Sequence, residues 1–289
     1  MTLQIGEYEA IPIPTGIFAL DGGAMFGTVP RVLWEKSNPP DDKNRIAMEA
    51  RALLLKSKSK LILVDCGVGG DFIAKYGEKV GSKFAEIYSV QKGGSSLLGS
   101  LASVGVQPEQ ITDVILTHLH FDHSGGGVTE KNGELVPTFA NAQYYVQASN
   151  LEAARHPNIR ERASYYPANF EPLLKAGRLK LLNGPQKDLL PQISVQISNG
   201  HTQAQQLVKV GDGTSTLIYC GDLIPMASHV RLAWIMGYDL HPLLLIEEKE
   251  NLLAAAAEDG WFLFFEHDPA RAFAQVERNG SDFRVKGGH

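Results

Sequence analysis

Short apolar runs alternate with polar breaks along this chain and divide it into predicted strands and helices. The runs that predict strands, the last of them a closing hairpin, lie at residues 3–19, 46–56, 61–65, 111–117, 144–146, 179–182, 193–197, 206–210, 216–220, 261–265 and 272–285. Apolar residues at helical spacing predict helices at residues 95–104, 246–257 and, with breaks at its prolines, 148–175. Strands that alternate with helices favour an α/β fold.

Residues 20–45 interrupt this pattern and predict a protruding loop. Three glycines lie beside Met25 and Phe26, and Trp34 follows, which is typical of a mobile loop with an apolar tip. Such a tip caps a substrate pocket, contacts a second subunit or folds back onto its own core. The sequence leaves all three alternatives open.

The segment Val-Ile-Leu-Thr-His-Leu-His-Phe-Asp-His-Ser-Gly-Gly at residues 114–126 runs from an apolar strand into three histidines and an aspartate. Side chains alternate in an extended segment, so His118, His120 and Asp122 share one side and the following turn brings His123 alongside. Imidazole and carboxylate are ligands that suit zinc, iron or manganese, and burying such groups without partners is costly. The pattern therefore favours a metal site over its alternative, a solvated histidine-rich loop.

Three later strands also end in residues that bind metals. His201, Asp222 and His267 each follow one of the apolar runs in the second half of the chain. Binding sites in sheet proteins lie at strand ends and on the loops there, so we expect these residues to join the 118–123 segment at one edge. These positions contain five of the nine histidines, which makes chance clustering a poor explanation.

Composition and charge limit the classes of partner. The chain of 289 residues is 44% hydrophobic and 20% charged, as is typical of a globular protein with a substantial core. Its net charge is −5 and no block of lysine and arginine stands out, which argues against a nucleic acid or an anionic membrane as the main partner. A small-molecule substrate is therefore favoured.

Location, domain count and redox state follow from three further features. The N-terminus lacks the basic and apolar regions of a signal peptide and no apolar run is long enough to span a membrane, which predicts a cytoplasmic protein. No linker or repeat divides the chain, which predicts one domain over residues 1–289. Cys66 and Cys220 lie in apolar strand patterns, which favours reduced thiols, with a disulfide between them as the alternative.

The motif His-x-His-x-Asp-His followed by Ser-Gly-Gly resembles the signature of the metallo-β-lactamase fold superfamily, a set of mostly dinuclear metallohydrolases. The resemblance extends from about residue 45 to residue 270. It implies a four-layer αβ/βα sandwich with the 20–45 loop as an N-terminal extension. It also implies that Asp65, which closes an apolar strand, orients the metal-binding loop; the alternative is a turn or helix-capping residue.

The resemblance also implies a ligand set and a mechanism. It assigns one metal to His118, His120 and His201, a second metal to Asp122, His123 and His267, and a bridging role to Asp222. The two divalent ions are expected to be zinc, with iron, manganese or cobalt as alternatives. A hydroxide that bridges the metals is the implied nucleophile, and Asp122 is expected to carry a proton to the leaving group.

Within the superfamily, the chain resembles the lactonase and organophosphate-hydrolase-like branch. Asp222 argues against the true β-lactamases, which lack this carboxylate, and the short C-terminus argues against glyoxalase-type thioesterases. The resemblance implies a hydrolase of lactones or related esters that forms a homodimer, with the 20–45 loop over the active site. The alternatives are a phosphotriesterase that uses the same site and a mononuclear iron persulfide dioxygenase, although the complete second ligand set disfavours the dioxygenase.

One position departs from the lactonase pattern. Many quorum-quenching lactonases carry a tyrosine three residues after the bridging aspartate, whereas this chain has Pro225, which cannot donate a hydrogen bond. His229 and Tyr238 are candidate replacements, and each has the alternative of an ordinary loop residue. The side chains predicted to bind substrate are Met25, Phe26, His229 and Trp234.

Overall fold

The computed structural model describes residues 2–90 and 96–287, so the predicted helix start at Ser95 lies outside the described residues. The strands are β1 Leu3–Ile5, β2 Tyr8–Asp21, β3 Arg45–Lys56, β4 Leu61–Val64, β5 Asp113–Ile115, β6 Val128–Lys131, β7 Glu134–Pro137, β8 Gln143–Gln147, β9 Leu179–Leu182, β10 Gln186–Leu190, β11 Ile193–Ser198, β12 Gln205–Gly211, β13 Thr216–Tyr219, β14 Phe262–Phe264, β15 Phe273–Ala274, β16 Val276–Asn279 and β17 Asp282–Val285. The α-helices are α1 Gly22–Phe26, α2 Arg31–Trp34, α3 Phe72–Tyr76, α4 Glu78–Tyr88, α5 Leu97–Ser103, α6 Phe121–Ser124, α7 Ala148–Arg155, α8 Glu171–Lys175 and α9 Pro242–Asp259. Single turns of 3₁₀ helix lie at Pro108–Gln110, Gly125–Gly127, Pro167–Asn169, Gly221–Leu223 and Ala227–Val230.

The first of two compact units comprises Met1–Phe18 and Glu49–Gly184. Its sheet has the strand order β1-β2-β3-β4-β5-β8-β9, and β4, β5, β8 and β9 are parallel. Apolar side chains such as Leu63, Val114 and Tyr144 form its buried core. Because the carboxyl ends of parallel strands meet at one edge, the segments that follow β4, β5 and β8 begin side by side.

The second unit comprises Ala19–Met48 and Pro185–His289. Its sheet has the order β10-β11-β12-β13-β14-β15. β11 and β13 are each antiparallel to β12, and β13 is parallel to β14, so β11, β13 and β14 run in the same direction. Their carboxyl ends therefore share one edge of this sheet, and the predicted ligands of this unit follow those three strands.

Several sequence predictions of local structure are confirmed. Strands were predicted at 46–56 and 61–65 and at 206–210 and 216–220, and β3 with β4 and β12 with β13 form antiparallel pairs there. Helix α9 contains the predicted helix at residues 246–257. The closing hairpin is formed by β16 and β17.

Other predictions of local structure are wrong or incomplete. The region 148–175 is helical only in α7 and α8, because the intervening residues form turns and one 3₁₀ turn. The sequence pattern missed the helix pair α3–α4, strand β10 and the β6–β7 hairpin. Val80, Phe84 and Ile87 lie at the spacing i, i+4, i+7 of one helix face, so the sequence carried a signal for α4 that the analysis overlooked.

The 20–45 segment contains two short helices instead of a regular strand or a structureless loop. Asp21 caps α1 by accepting a 2.8 Å hydrogen bond from the backbone N–H of Ala24. A Cβ atom at Gly22 would lie 2.4 Å from the ring of Trp34, so only glycine fits at that contact. Met25, Phe26 and Trp34 are all buried, and their apolar side chains pack within the second unit. This packing is the third of the three alternatives for the apolar tip.

Two further predictions concern the thiols and the membrane. Cys66 and Cys220 are both buried free cysteines, which confirms the expectation of reduced thiols. Burial raises the pKa of the Cys220 thiol. Among residues 2–90 and 96–287, no helix combines the length and the apolar character needed to cross a bilayer.

Candidate metal centre

The first unit gathers four predicted ligands in the segment that follows β5. His118, His120, Asp122 and His123 are all buried, with at most 7% of each residue exposed. The ring centroids of His118 and His120 are 4.5 Å apart, and those of His118 and His123 are 3.9 Å apart. Asp122 and His123 lie in the first turn of α6, where the two side chains face each other at 3.9 Å. The predicted convergence of these four side chains is therefore present in the structure.

Asp65 holds this segment in place, as the sequence predicted. Its carboxylate accepts 2.7 Å hydrogen bonds from the backbone N–H and the hydroxyl of Thr117, and Nδ1 of His123 lies 3.0 Å from Oδ2. Asp65 is fully buried and has a φ of 56°, an unusual conformation for a residue other than glycine. A carboxylate at Nδ1 orients the ring so that its Nε2 is directed to a metal.

The glycines that follow the histidines are required by close backbone packing. A Cβ atom at Gly125 would lie 2.0 Å from the carbonyl oxygen of Val68, and one at Gly126 would lie 2.2 Å from that of Cys66. The buried ammonium of Lys75 donates a 2.6 Å hydrogen bond to the Gly125 carbonyl. The Ser-Gly-Gly part of the motif thus allows the ligand loop to pack against the segment that follows β4.

The second unit brings its three predicted ligands together around Asp222. The Nε2 atoms of His201 and His267 each lie 3.1 Å from a different oxygen of this carboxylate. All three residues are buried, with at most 6% exposed. A carboxylate with one imidazole at each oxygen is suited to the predicted bridging role.

Asp239 orients His201, and the sequence analysis missed it. Its Oδ1 lies 2.9 Å from Nδ1 of His201, and its Oδ2 accepts a 2.7 Å hydrogen bond from the backbone N–H of Met236. Burial alone would lower the pKa of His201, but the carboxylates of Asp222 and Asp239 outweigh it and raise that pKa to about 10.

Glu248 also supports the His201 loop from helix α9. Its carboxylate accepts hydrogen bonds from the Ser198 hydroxyl at 2.6 Å and from the backbone N–H groups of Asn199 at 2.9 Å and Gly200 at 3.1 Å. A Cβ atom at Gly200 would lie 2.4 Å from the Cα and Cβ atoms of Leu245, so this turn packs directly on the helix.

The seven predicted ligands form a chemically consistent set. Five are imidazoles and two are carboxylates, and each is buried within its unit. Such nitrogen and oxygen donors suit zinc, iron, manganese or cobalt, and no thiolate, which would favour softer metals, is among them. The residues therefore fit the metals that the sequence motif implies.

A model of the family described as the metallo-beta-lactamase superfamily matches residues 49–267. The chain belongs to this superfamily. The α/β metallo-β-lactamase fold predicted from the motif is thereby confirmed, and so is the prediction of a metal-dependent hydrolase.

Relatives and solved structures extend this comparison. The N-acyl homoserine lactonase AiiA of Bacillus thuringiensis subsp. kurstaki is 26% identical over 219 residues, which are 74% of this chain and 79% of the lactonase. A probable metal-dependent hydrolase from Staphylococcus aureus has a TM-score of 0.85 and 26% identity, with 99% of this chain and 100% of that chain covered. The dizinc quorum-quenching lactonase AidC has a TM-score of 0.78 and 22% identity, with 99% and 96% covered, and shares the fold.

The four residues predicted to bind substrate lie together in the second unit of this metallo-β-lactamase superfamily protein. Phe26 stacks on the rings of Trp34 and His229, at centroid distances of 5.2 and 4.7 Å, and meets the edge of Trp234 at 5.5 Å. Phe26 is fully buried in this cluster. The contacts account for its packing, and a role in substrate binding stays a prediction.

His229, one of the two candidates to replace the lactonase tyrosine, already has a hydrogen-bond partner within the protein. Its Nε2 lies 2.8 Å from the carbonyl oxygen of Met25 and must donate to it, since a carbonyl only accepts. Burial lowers the pKa of His229 to about 3, so its ring is neutral. The N–H that a substrate would need is therefore already used. Tyr238, whose side chain is 40% exposed, remains the other candidate.

Asn150 is a further residue that the sequence analysis missed. It follows β8, and its side-chain oxygen accepts a 2.9 Å hydrogen bond from the backbone N–H of Leu119, between two predicted ligands. No local signal marks Asn150, because its partner lies 31 residues away and only the parallel pairing of β5 and β8 brings the two together.

Proposed function

We propose that the protein is a dinuclear metal-dependent hydrolase that opens lactones, with N-acyl homoserine lactones as the first class to test. One ion would be held by His118, His120 and His201 and the other by Asp122, His123 and His267, with Asp222 shared. The observation that carries this proposal is the complete set of buried imidazole and carboxylate ligands in a chain of this superfamily. The similarity to a lactonase over 79% of that enzyme's length supports the substrate class.

The proposed hydrolysis assigns a role to the metal ions, to the carboxylates that orient the histidines, and to Asp122. Bound there, two divalent ions would polarise the scissile carbonyl and make a shared water acidic enough to ionise near neutral pH. Asp65 and Asp239 hold His123 and His201 in orientation through their Nδ1 atoms. Asp122 would carry a proton to the departing alkoxide, because a carboxylate at this position both accepts and releases protons.

An aromatic cluster beside the ligand loop supports an apolar substrate. Phe121 lies between His120 and Asp122 in the chain, and its ring contacts Tyr88 at 4.5 Å and Phe84 at 4.9 Å. Ile87, next to Tyr88, is 49% exposed. Phe84 and Phe121 themselves are buried. We propose that Ile87 and Tyr88, on the accessible side of this cluster, bind the acyl chain, since pockets for small apolar ligands are lined by such side chains.

A substrate panel tests the proposal. Purified protein loaded with zinc is assayed with acyl-homoserine lactones, simple γ- and δ-lactones, aryl esters and paraoxon-type triesters. Lactone opening that is abolished by chelation and restored by zinc is the expected result. Turnover of the triesters alone would replace the lactonase by a phosphotriesterase, and no turnover of any substrate would contradict both.

Pro225 leads to an expected order of hydrolysis rates among these substrates. One hydrogen-bond donor where charge develops is typically worth about 10²–10³ in rate, and Pro225 supplies none. Aryl esters and nitrophenyl triesters expel a stabilised phenolate and depend less on such help. We therefore expect modest lactonase activity and faster hydrolysis of activated substrates. Fast opening of unactivated lactones would contradict this and would direct attention to Tyr238.

The predicted homodimer, the choice of zinc and the cytoplasmic location stay predictions. Sedimentation of the metal-loaded protein measures the oligomeric state. Elemental analysis of protein purified without added metal identifies the bound metal.

A further inference from the structure

In two of the predicted metal ligands, a carboxylate lies beside Nδ1 of the imidazole, which leaves Nε2 as the nitrogen that would bind a metal. Asp65 lies 3.0 Å from Nδ1 of His123, and Asp239 lies 2.9 Å from Nδ1 of His201. In the first unit, a third carboxylate faces His120, since Oε1 of Glu161 lies 3.7 Å from Nε2 of that ring. Nothing in the sequence motif includes Glu161, which lies 41 residues beyond His120.

Burial and hydrogen bonds hold the Glu161 carboxylate in its position beside His120. Only 5% of Glu161 is exposed, and an ionised carboxylate is costly to bury unless its oxygens are satisfied. The Asn158 side-chain N–H donates to Oε2, and the Tyr165 hydroxyl donates to Oε1 at 3.4 Å. The ring of Tyr165 in turn contacts the ring of His120, with centroids 4.7 Å apart.

The loop that carries Glu161 is tied to the ligand segment through the backbone. The N–H of Phe121, the residue after His120, donates a 2.9 Å hydrogen bond to the carbonyl of Ser164. The N–H of Ser164 donates at 2.7 Å to the carbonyl of Glu161. These two backbone hydrogen bonds anchor the loop that carries Glu161 next to the segment that carries His120.

A second histidine–glutamate pair in the same unit provides a contrast. Nε2 of His156 lies 3.6 Å from Glu152, a similar distance, but both side chains are 73% exposed and neither is a predicted ligand. Exposed pairs of this kind contribute little, because water screens the charges and the side chains must be ordered. Burial and position, and not distance, distinguish the Glu161 pair.

We infer that Glu161 is a positioning residue for the metal centre: its carboxylate, on the Nε2 side of the His120 ring, would hold the ring in an orientation that leaves Nδ1 to bind a metal. This inference rests on the proposed function for the presence of the metal. A carboxylate behind a ligating imidazole fixes the orientation of the ring and makes the other nitrogen a stronger donor, and loss of such a partner typically weakens metal binding about 10–100-fold.

The test measures zinc binding directly. Metal-free wild-type protein, Glu161→Gln and the matched surface control Glu152→Gln compete with a chromophoric chelator for zinc. We expect Glu161→Gln to bind one of two zinc ions about 10–100-fold more weakly, and Glu152→Gln to bind as the wild type does. The visible absorption of the cobalt-loaded Glu161→Gln protein should also change, because the ligand field at His120 changes.

A purely structural role is separated by the unfolding temperature of the metal-free proteins. We expect Glu161→Gln to unfold within about 3 °C of the wild type, the shift that roughly 1 kcal/mol produces in a chain of this size. Glu161→Asp, which withdraws the charge by one methylene, is the second variant if the glutamine protein does not fold, and it should also bind zinc more weakly. Wild-type zinc affinity in the folded variant would overturn the inference, as would equal losses in Glu161→Gln and Glu152→Gln.

Failure of the proposed function gives a different result. If the wild type binds zinc but hydrolyses no lactone, the lactonase proposal fails while the zinc-binding comparison still decides the role of Glu161. If the wild type binds no zinc, both proposals are overturned.

Discussion

The two units present their predicted ligands in different ways. In the first unit, four ligands come from one continuous segment, residues 118–123, after a single parallel strand. In the second unit, His201, Asp222 and His267 each follow a different strand, and only the common direction of those strands brings them together. The continuous cluster depends mainly on a local turn, whereas the dispersed cluster depends on the whole sheet.

The carboxylates that orient the histidines are both distant in sequence from them: Asp65 lies 58 residues before His123, and Asp239 lies 38 residues after His201. Asp65 directly follows β4, which pairs with the strand that leads to the ligand segment. Asp239 lies 38 residues beyond His201, on a segment fixed by hydrogen bonds from Gly237 to Ala24 and from Leu240 to His201. The geometry at the two imidazoles is nonetheless nearly equal, at 3.0 and 2.9 Å. Parallel strand pairing therefore brings Asp65 to its histidine, whereas backbone hydrogen bonds of a loop segment bring Asp239 to its histidine.

The largest expected effect comes from removing the shared carboxylate of the dispersed cluster. Asp222→Asn should lose several kcal/mol of transition-state stabilisation, or roughly 10³-fold in kcat, since an amide is a poor metal ligand. The fold should persist, because the amide has the shape of the carboxylate. Steady-state kinetics and elemental analysis measure the two effects. A variant with two metals and normal turnover would contradict the bridging role.

Phe26→Ala tests whether the aromatic cluster of the second unit stabilises the fold or binds substrate. A fully buried phenylalanine truncated to alanine typically costs about 3–5 kcal/mol. We expect that loss in the free energy of unfolding, with KM unchanged across the substrate panel. Phe139→Ala, in the core of the first unit, is the matched control. A rise in KM for Phe26→Ala alone would contradict this expectation and would support the sequence prediction that Phe26 contacts substrate.

His229 predicts a pH dependence of stability. Its pKa is lowered by burial from 6.5 to about 3, so its contribution is fully present above pH 6.5 and is lost as the pH falls toward 3. At pH 4 the loss would be about 3 kcal/mol relative to pH 7. Urea unfolding of the metal-free protein at both pH values measures it. His229→Gln should show a correspondingly smaller difference between pH 7 and pH 4, and an equal difference would contradict the assignment.

The smallest expected effect compares the two orienting carboxylates. Asp65→Asn and Asp239→Asn should each weaken zinc binding about 10–100-fold, because both touch Nδ1 of a predicted ligand. Asp188→Asn, at an exposed position on β10, is the control and should bind zinc normally. Chelator competition measures all three. Weaker zinc binding in only one of the two variants would show that the two carboxylates do not contribute equally to metal affinity.

The sequence predicted the parts of the site that depend on local pattern. The ligand segment, the strand-end position of Asp65 and the strands before His201, Asp222 and His267 all follow from short-range alternation of apolar and polar residues. Asp65 is still more distant from its histidine, and its role was predicted only because the family resemblance implied it. Asp239 and Asn150 were missed because no local motif marks them and the resemblance did not include them.

The missed local structure has a similar cause. The residues between α7 and α8 include Pro157 and Pro167, which disfavour a helix. Asn158 and Glu161 also form side-chain and backbone hydrogen bonds that stabilise a turn there. Met25 and Phe26 suggested an exposed tip because their glycine neighbours suggested mobility. Their actual burial depends on Trp34 and His229, which no local pattern connects to them.

The central proposal is that the protein binds two metal ions through its seven predicted ligands. Its most direct test is the metal content of protein purified without added metal and then reconstituted with zinc, determined by elemental analysis per chain. We predict two ions per chain in the reconstituted wild type and fewer in Asp222→Asn. A wild type that holds one iron per chain and consumes oxygen with a persulfide substrate, or one that holds no metal after reconstitution, would contradict the account.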